Sequence, residues 1–172
     1  MQAIGDIARL GAKRYPDKVA LIMERESLTY LQLNQQANQL AYGLLSSGVA
    51  AGDRVAILAF NCLEYPVVNY AVAKCGGILV PINFRYKKDE LVYVVNNSNP
   101  KVLFYGREFS SMVDEVRDQF VSPTRLVAIS GTPLNSGLTL KSLMDGQSAS
   151  EPGIEVDPKS PSFIMYTSGT TG

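Results

Sequence analysis

Apolar positions along this chain switch between two spacings, and each switch marks a predicted element. Ile4, Ile7, Ala8, Gly11 and Tyr15 fall at helical spacing, and Pro16 ends that helix because it pushes the preceding residue out of the helical region. Residues 19–23 read as a strand that returns through 24–27 into a second short one. Thr29 and Gln32 then form a capping-box pattern, Leu33, Ala37, Leu40, Ala41 and Leu44 share one helical face, and Gly48 closes the helix. Gln32, Gln35, Gln36 and Gln39 fill its polar side and face water.

From Arg54 onward, apolar runs of strand length over 55–60, 78–82, 102–105, 126–129 and 163–167 alternate with amphipathic segments over 64–75, 89–97 and 107–120. Pro66 falls in a first helical turn, where its missing N–H is harmless. Each link is long enough for a crossover, so the fold class predicted is α/β, a mainly parallel sheet with helices on both faces, preceded by an N-terminal helix and hairpin. A short helix over 139–144 and a loop over 145–161 rich in Ser, Pro, Gly and acid interrupt the alternation. The expected organisation is one domain's worth of chain over 1–172, with a helix, hairpin and helix over 1–50 and an α/β subdomain over 54–172.

Composition narrows the function. A chain of 172 residues with 46% hydrophobic content can bury one sizeable core. Sixteen basic residues balance sixteen acidic ones, so no field draws the chain to nucleic acid, and its nine tyrosines form no stacking ladder. Histidine is absent, which removes Ser-His-Asp and Cys-His machinery and the commonest zinc ligand. Cys62 and Cys75 bracket one predicted helix about 20 Å long, too far apart to pair. Two free thiols point to a reducing cytoplasm, residues 1–15 have no signal-peptide core, and nothing approaches a membrane span.

The chemistry concentrates at the end of the chain. Thr167, Ser168, Gly169, Thr170, Thr171 and Gly172 follow an apolar run, so hydroxyls and turned backbone N–H groups would gather at a strand's carboxyl end, where open α/β sheets bind ligands. The spacing is neither that of a Walker loop nor of a dinucleotide fingerprint. The string resembles the phosphate-binding loop of the AMP-forming adenylating enzymes: acyl-CoA synthetases, peptide-synthetase adenylation domains and beetle luciferases. Leu28-Thr29-Tyr30, the stretch GVAAGD over 48–53 and AKCGGILVPIN over 73–83 are similar to that family's N-terminal landmarks, and the likeness covers nearly the whole chain. Asn61 and Glu64, with VPINFRYKKDEL over 80–91, look more like acyl-CoA synthetases than amino-acid adenylation domains.

The resemblance implies an acid–thiol ligase of the medium- or long-chain fatty-acid type. Such an enzyme activates a carboxylic acid with ATP and Mg2+ and transfers it to CoA, as part of fatty acid metabolism. It assigns Thr167, Ser168, Gly169, Thr170, Thr171 and Gly172 to the ATP phosphates, and no catalytic or metal-binding residue to this chain. In the family the loop continues through Pro, Lys and Gly, so the expectation is an N-terminal fragment cut within the loop and inactive alone. An amino-acid adenylation domain and a short, non-catalytic binding protein are the alternatives. Lys74, Lys87 and Lys88 read as solvated charges, as does the acidic set Glu108, Asp114, Glu115 and Asp118; Asn83, Phe84 and Arg85 read as a turn, with Arg85 either tying the loop or contacting a ligand. Truncation would also leave the 29–47 helix with Leu33, Leu40 and Leu44 exposed, a face for self-association.

Overall fold

A computed structural model describes residues 3–134 and 137–167. The chain opens with helix α1 (Gly5–Arg14), the hairpin β1 (Val19–Met23) and β2 (Glu26–Thr29), and helix α2 (Tyr30–Ser46). It continues through β3 (Arg54–Leu58), α3 (Glu64–Lys74), β4 (Ile78–Pro81), α4 (Lys88–Ser98) and β5 (Val102–Tyr105). A helical stretch centred on α5 (Ser110–Val116) leads to β6 (Arg125–Ala128), β7 (Leu138–Thr139) and α6 (Leu140–Met144). Five strands form one sheet in the order β4-β3-β5-β6-β7, every pair parallel.

Side-chain alternation in these strands builds two cores. Val55 and Ile57 of β3, Leu79 of β4, Val102 and Phe104 of β5 and Val127 of β6 face α2, α3 and α6. Ala56, Leu58, Val80, Leu103, Tyr105 and Ala128 face α4 and α5 on the other side. All four residues of β5 are buried, as a strand covered on both faces requires.

Local signals set several boundaries. Thr29 Oγ1 accepts the Gln32 N–H while the Gln32 side chain accepts the Thr29 N–H, closing the capping box that starts α2. Gly48, at φ 85°, takes the left-handed turn that ends it. Gly43 serves close approach instead: a Cβ there would lie 2.1 Å from the Leu143 carbonyl oxygen, so α2 and α6 pack only through a glycine. Strand-opening cations tie helix ends to the sheet. Arg54 donates to the Ser98 and Asn99 carbonyls, Lys101 to Gly48 and Arg125 to Ser47.

Three expectations need correction. Residues 163–167 form no strand: Phe163 makes a single parallel bridge to Leu79, and the fifth strand is β7 instead. The α2 face is not exposed, because α1, α3 and α6 cover it. Leu33 is 3% exposed and Leu40 and Leu44 are fully buried, each contributing about 1.5–3 kcal/mol of burial, so the basis for self-association there falls away. Lys74, finally, is not solvated; it is 6% exposed and bonded to Glu151.

Candidate functional site

Sheet growth reverses between β3 and β5, since the chain passes from β3 to β4 on one side and returns to β5 on the other. In open α/β sheets ligands bind beyond the carboxyl ends of the strands near such a reversal. Beyond the strand ends here stand Phe60 after β3, Phe84 after β4 and Phe109 after β5. The Phe60 ring centroid lies 5.1 Å from each of the other two, tilted edge to face. Glu108 closes the gap by accepting the Phe60 N–H at 3.3 Å. Phe60 and Phe84 remain about half exposed, and the Arg85 guanidinium sits 5.6 Å from the Phe84 ring centre.

Asn83 shapes the turn between Phe84 and the sheet, as expected. Its Oδ1 accepts the Arg85 N–H at 3.0 Å and its carbonyl accepts the Tyr86 N–H. Lys87 and Lys88 are exposed, and Lys88 pairs with Glu115 on α5. Asp114 and Asp118 lie on the wet face of the same helical stretch.

Residues leading to the glycine-rich string lie along the free edge of β4. The Leu79 N–H donates to the Ser162 carbonyl at 2.9 Å and the Ile164 N–H to the Leu79 carbonyl at 3.0 Å. Because the bridge is parallel, the chain at Phe163 points toward the carboxyl end of β4. Tyr166 is anchored on α4, donating its hydroxyl to Asn97 Oδ1 at 2.6 Å with its ring edge-on to Tyr93. Burial of that phenol raises its pKa. Thr167 follows and is exposed; Ser168, Gly169, Thr170, Thr171 and Gly172 lie outside the described residues.

A second polar centre escaped the sequence reading altogether. Lys74 at the end of α3 donates to Glu151 Oε2 at 2.7 Å, and the amides of Asn34 and Asn38, one turn apart on α2, both donate to Glu151 Oε1. Burial lowers the Lys74 pKa in spite of this carboxylate. Burial works against the Glu151 charge as well, but hydrogen bonds from Lys74 and Asn34 outweigh it and hold its pKa below the ordinary value. The only advance signal was two asparagines at i and i+4 beside an apolar stripe. A cavity of about 310 Å³ adjoins this centre, lined among the described residues by Arg9, Lys74, Glu151 and residues 152–156.

Neither cysteine is disulfide-bonded. Burial, with the Glu64 charge beside it, pushes the Cys62 thiol up to about 11, and burial alone pushes Cys75 up to about 12, so both are poor nucleophiles. Among the described residues no group of three or more His, Cys, Asp or Glu is placed to hold a metal, and no helix is long and apolar enough to cross a membrane.

The AMP-binding enzyme family model matches residues 9–172, and the chain belongs to that family. It is 37% identical over 145 residues to the long-chain-fatty-acid–CoA ligase FadD13 of Mycobacterium tuberculosis, covering 84% of this chain and 28% of that ligase. It is 33% identical over 177 residues to a medium/long-chain-fatty-acid–CoA/3-oxocholest-4-en-26-oate–CoA ligase of Mycobacterium marinum, covering 98% of this chain and 32% of the relative. An inhibitor-bound crystal structure of the N-terminal domain of FACL13 from Mycobacterium tuberculosis superimposes with a TM-score of 0.86 at 34% identity, covering all of this chain and 42% of that one. The chain therefore spans about a third of the length of the curated relatives it matches.

Proposed function

We propose that this chain is the N-terminal part of an ATP-dependent, AMP-forming acyl-CoA synthetase acting on a medium- or long-chain fatty acid in the cytoplasm. The observation that carries the reading is the family match running through residue 172, the whole of the hydroxyl- and glycine-rich string included. The names of the relatives, which cite medium- and long-chain fatty acids, support the substrate class. Within this segment we assign 1–50 to a helix–hairpin–helix unit and 54–172 to an α/β unit of one AMP-binding domain.

Thr167, Ser168, Gly169, Thr170, Thr171 and Gly172 take the role of hydrogen-bond donors to the ATP phosphates. Hydroxyls and backbone N–H groups suit it, because the negative charge of a departing pyrophosphate is stabilised without any proton transfer. The carboxylate attacks the α-phosphorus and pyrophosphate leaves, giving an acyl-adenylate; the thiol of CoA then attacks the acyl carbonyl, loses its proton, and AMP leaves. Mg2+ would accompany ATP as the counter-ion of its phosphates. With a stretch of hydrogen-bond donors to phosphate and no catalytic residue assigned to it, the 172-residue chain alone does not complete the reaction.

A chimaera tests the proposal. Residues 1–172 replace the matching segment of the FadD13 ligase, and fatty-acid-dependent release of pyrophosphate from ATP is measured. Activity is expected in the chimaera and none in the isolated chain; a folded chimaera that binds fatty acid yet releases no pyrophosphate overturns the reading. Thr170→Val in the active chimaera is expected to lower kcat by about tenfold to a hundredfold, the loss of one donor to developing charge.

A further inference from the structure

We propose that Glu151 is a positioning residue, the pin that sets where the chain meets β4 on its way into the glycine-rich string. Residues 146–161 form neither helix nor strand, yet they carry the chain from α6, next to β7 at one edge of the sheet, to Phe163 beside β4 at the other. A connection of that length is free to wander unless something fastens it. Glu151 fastens it to two helices at once. Its carboxylate takes Lys74 Nζ at 2.7 Å from α3 and Asn34 Nδ2 at 2.8 Å from α2, and its carbonyl takes the Tyr42 hydroxyl at 3.2 Å. Asn38 Nδ2 adds the Ala149 carbonyl at 2.8 Å.

The donors are rigid, since Lys74 is 6% exposed and Asn38 fully buried, so the strap conforms to them. An ammonium that deep requires a counter-charge, which makes the contact obligatory. Beyond the pin, Pro152, Pro158 and Pro161 stiffen the backbone, and Asp157 accepts the N–H groups of Lys159 and Ser160 in a tight turn. A shift at Glu151 is therefore passed along the strap. At its far end, among the described residues, the strap meets β4 through two backbone hydrogen bonds, those joining Leu79 to Ser162 and to Ile164.

Amide hydrogen exchange on the 172-residue chain tests the pin without reference to catalysis. In Glu151→Ala the Leu79 and Ile164 amides are expected to exchange about tenfold faster while those of Val55–Leu58 stay within about twofold. The double variant Glu151→Ala/Lys74→Met removes the unpaired ammonium too, and the same local loosening is expected. Unchanged rates, uniform acceleration that includes β3, or a double variant restored to the original rates would each overturn the proposal. The consequence for ATP rests on the function proposed above. In the chimaeric ligase, Glu151→Ala should raise the KM for ATP about tenfold and leave that for the fatty acid within about twofold. Equal rises, or none, refute the positioning role, whereas a parent chimaera without activity counts against the proposed function and leaves the exchange result to decide the pin.

Discussion

Two apolar runs of nearly the same character end up in opposite circumstances. Val-Leu-Phe-Tyr over 102–105 becomes β5, hydrogen-bonded on both sides and buried at every position. Phe-Ile-Met-Tyr over 163–166 pairs at one residue only; Phe163 is 40% exposed and Met165 74%, while Ile164 and Tyr166 pack on the α4 side. Both runs satisfy the local requirements of a strand. What separates them is supply of neighbours: β5 sits between β3 and β6 with helices on each face, whereas the later run lies on the outer side of β4 with one face covered. An apolar run thus reports a capacity for burial, and the tertiary partners decide how much of it is used.

Truncating the two phenylalanines gives the largest test of that contrast. Phe104→Ala empties a fully buried site and is expected to cost about 3–5 kcal/mol, while Phe163→Ala, losing a half-exposed ring, should cost less than about 1 kcal/mol. Urea unfolding of both variants measures the difference. Equal losses would mean that the edge segment is as integral to the core as β5. Gly43→Ala probes the tightness of the core side: with a carbonyl oxygen 2.1 Å from the new Cβ, α2 and α6 must separate, at about 1–3 kcal/mol. A neutral result would show that α6 adjusts freely, and the strap that follows it with it.

The same contrast explains what was legible in the sequence. β1 and β5 fall where spacing places them, and the Thr29–Gln32 cap opens α2 as read, because each of those signals is local. β7 was missed because Leu138 and Thr139 amount to two residues, too short to show a period. The solvated reading of Lys74 failed because its partner lies 77 residues away, in a segment that reads as surface loop. Leu33, Leu40 and Leu44 were correctly placed on one face, but nothing local says that α1, α3 and α6 close over it. For the glycine-rich string, residue type and order are enough to form a phosphate-binding expectation, while the geometry beyond Thr167 that bears on it lies outside the described residues.

A smaller effect is expected at the anchor on α4. Tyr166→Phe deletes the exposed hydrogen bond to Asn97 and keeps the ring against Tyr93, so global stability should fall by less than about 1 kcal/mol. Any loosening should be confined to residues 164–167, visible as faster exchange at Ile164. Equal acceleration across β5 would show that the edge segment and the core unfold as one unit, and the contrast between the two runs would lose its energetic meaning.

Acid offers the gentlest way to separate the two regions. Among the described residues the buried polar and charged side chains are Asn34, Asn38, Lys74 and Ser98, so no carboxylate lies buried in either core, but the strap depends on one. The Glu151 pKa is held below its ordinary 4.5 in the folded chain, and its contribution is accordingly complete above that value and disappears as pH falls through the lower, folded one. Lys74 stays charged throughout that range, as do Arg9 and, until it too protonates, its partner Asp6, whose pKa the Arg9 hydrogen bond lowers. Protonating Glu151 therefore leaves a buried ammonium without its counter-charge, and the strap should release while β5 remains folded. Amide chemical shifts followed from pH 7 downward should move first at Ala149–Glu151 and Ser162–Ile164, below pH 4.5, with Val102–Tyr105 unchanged until global unfolding. The Glu151→Gln variant should show no such early transition. If its strap amides still shift in the same window, another carboxylate governs the release, and Asp6, the acid nearest to Lys74 in charge interaction, is the next residue to replace.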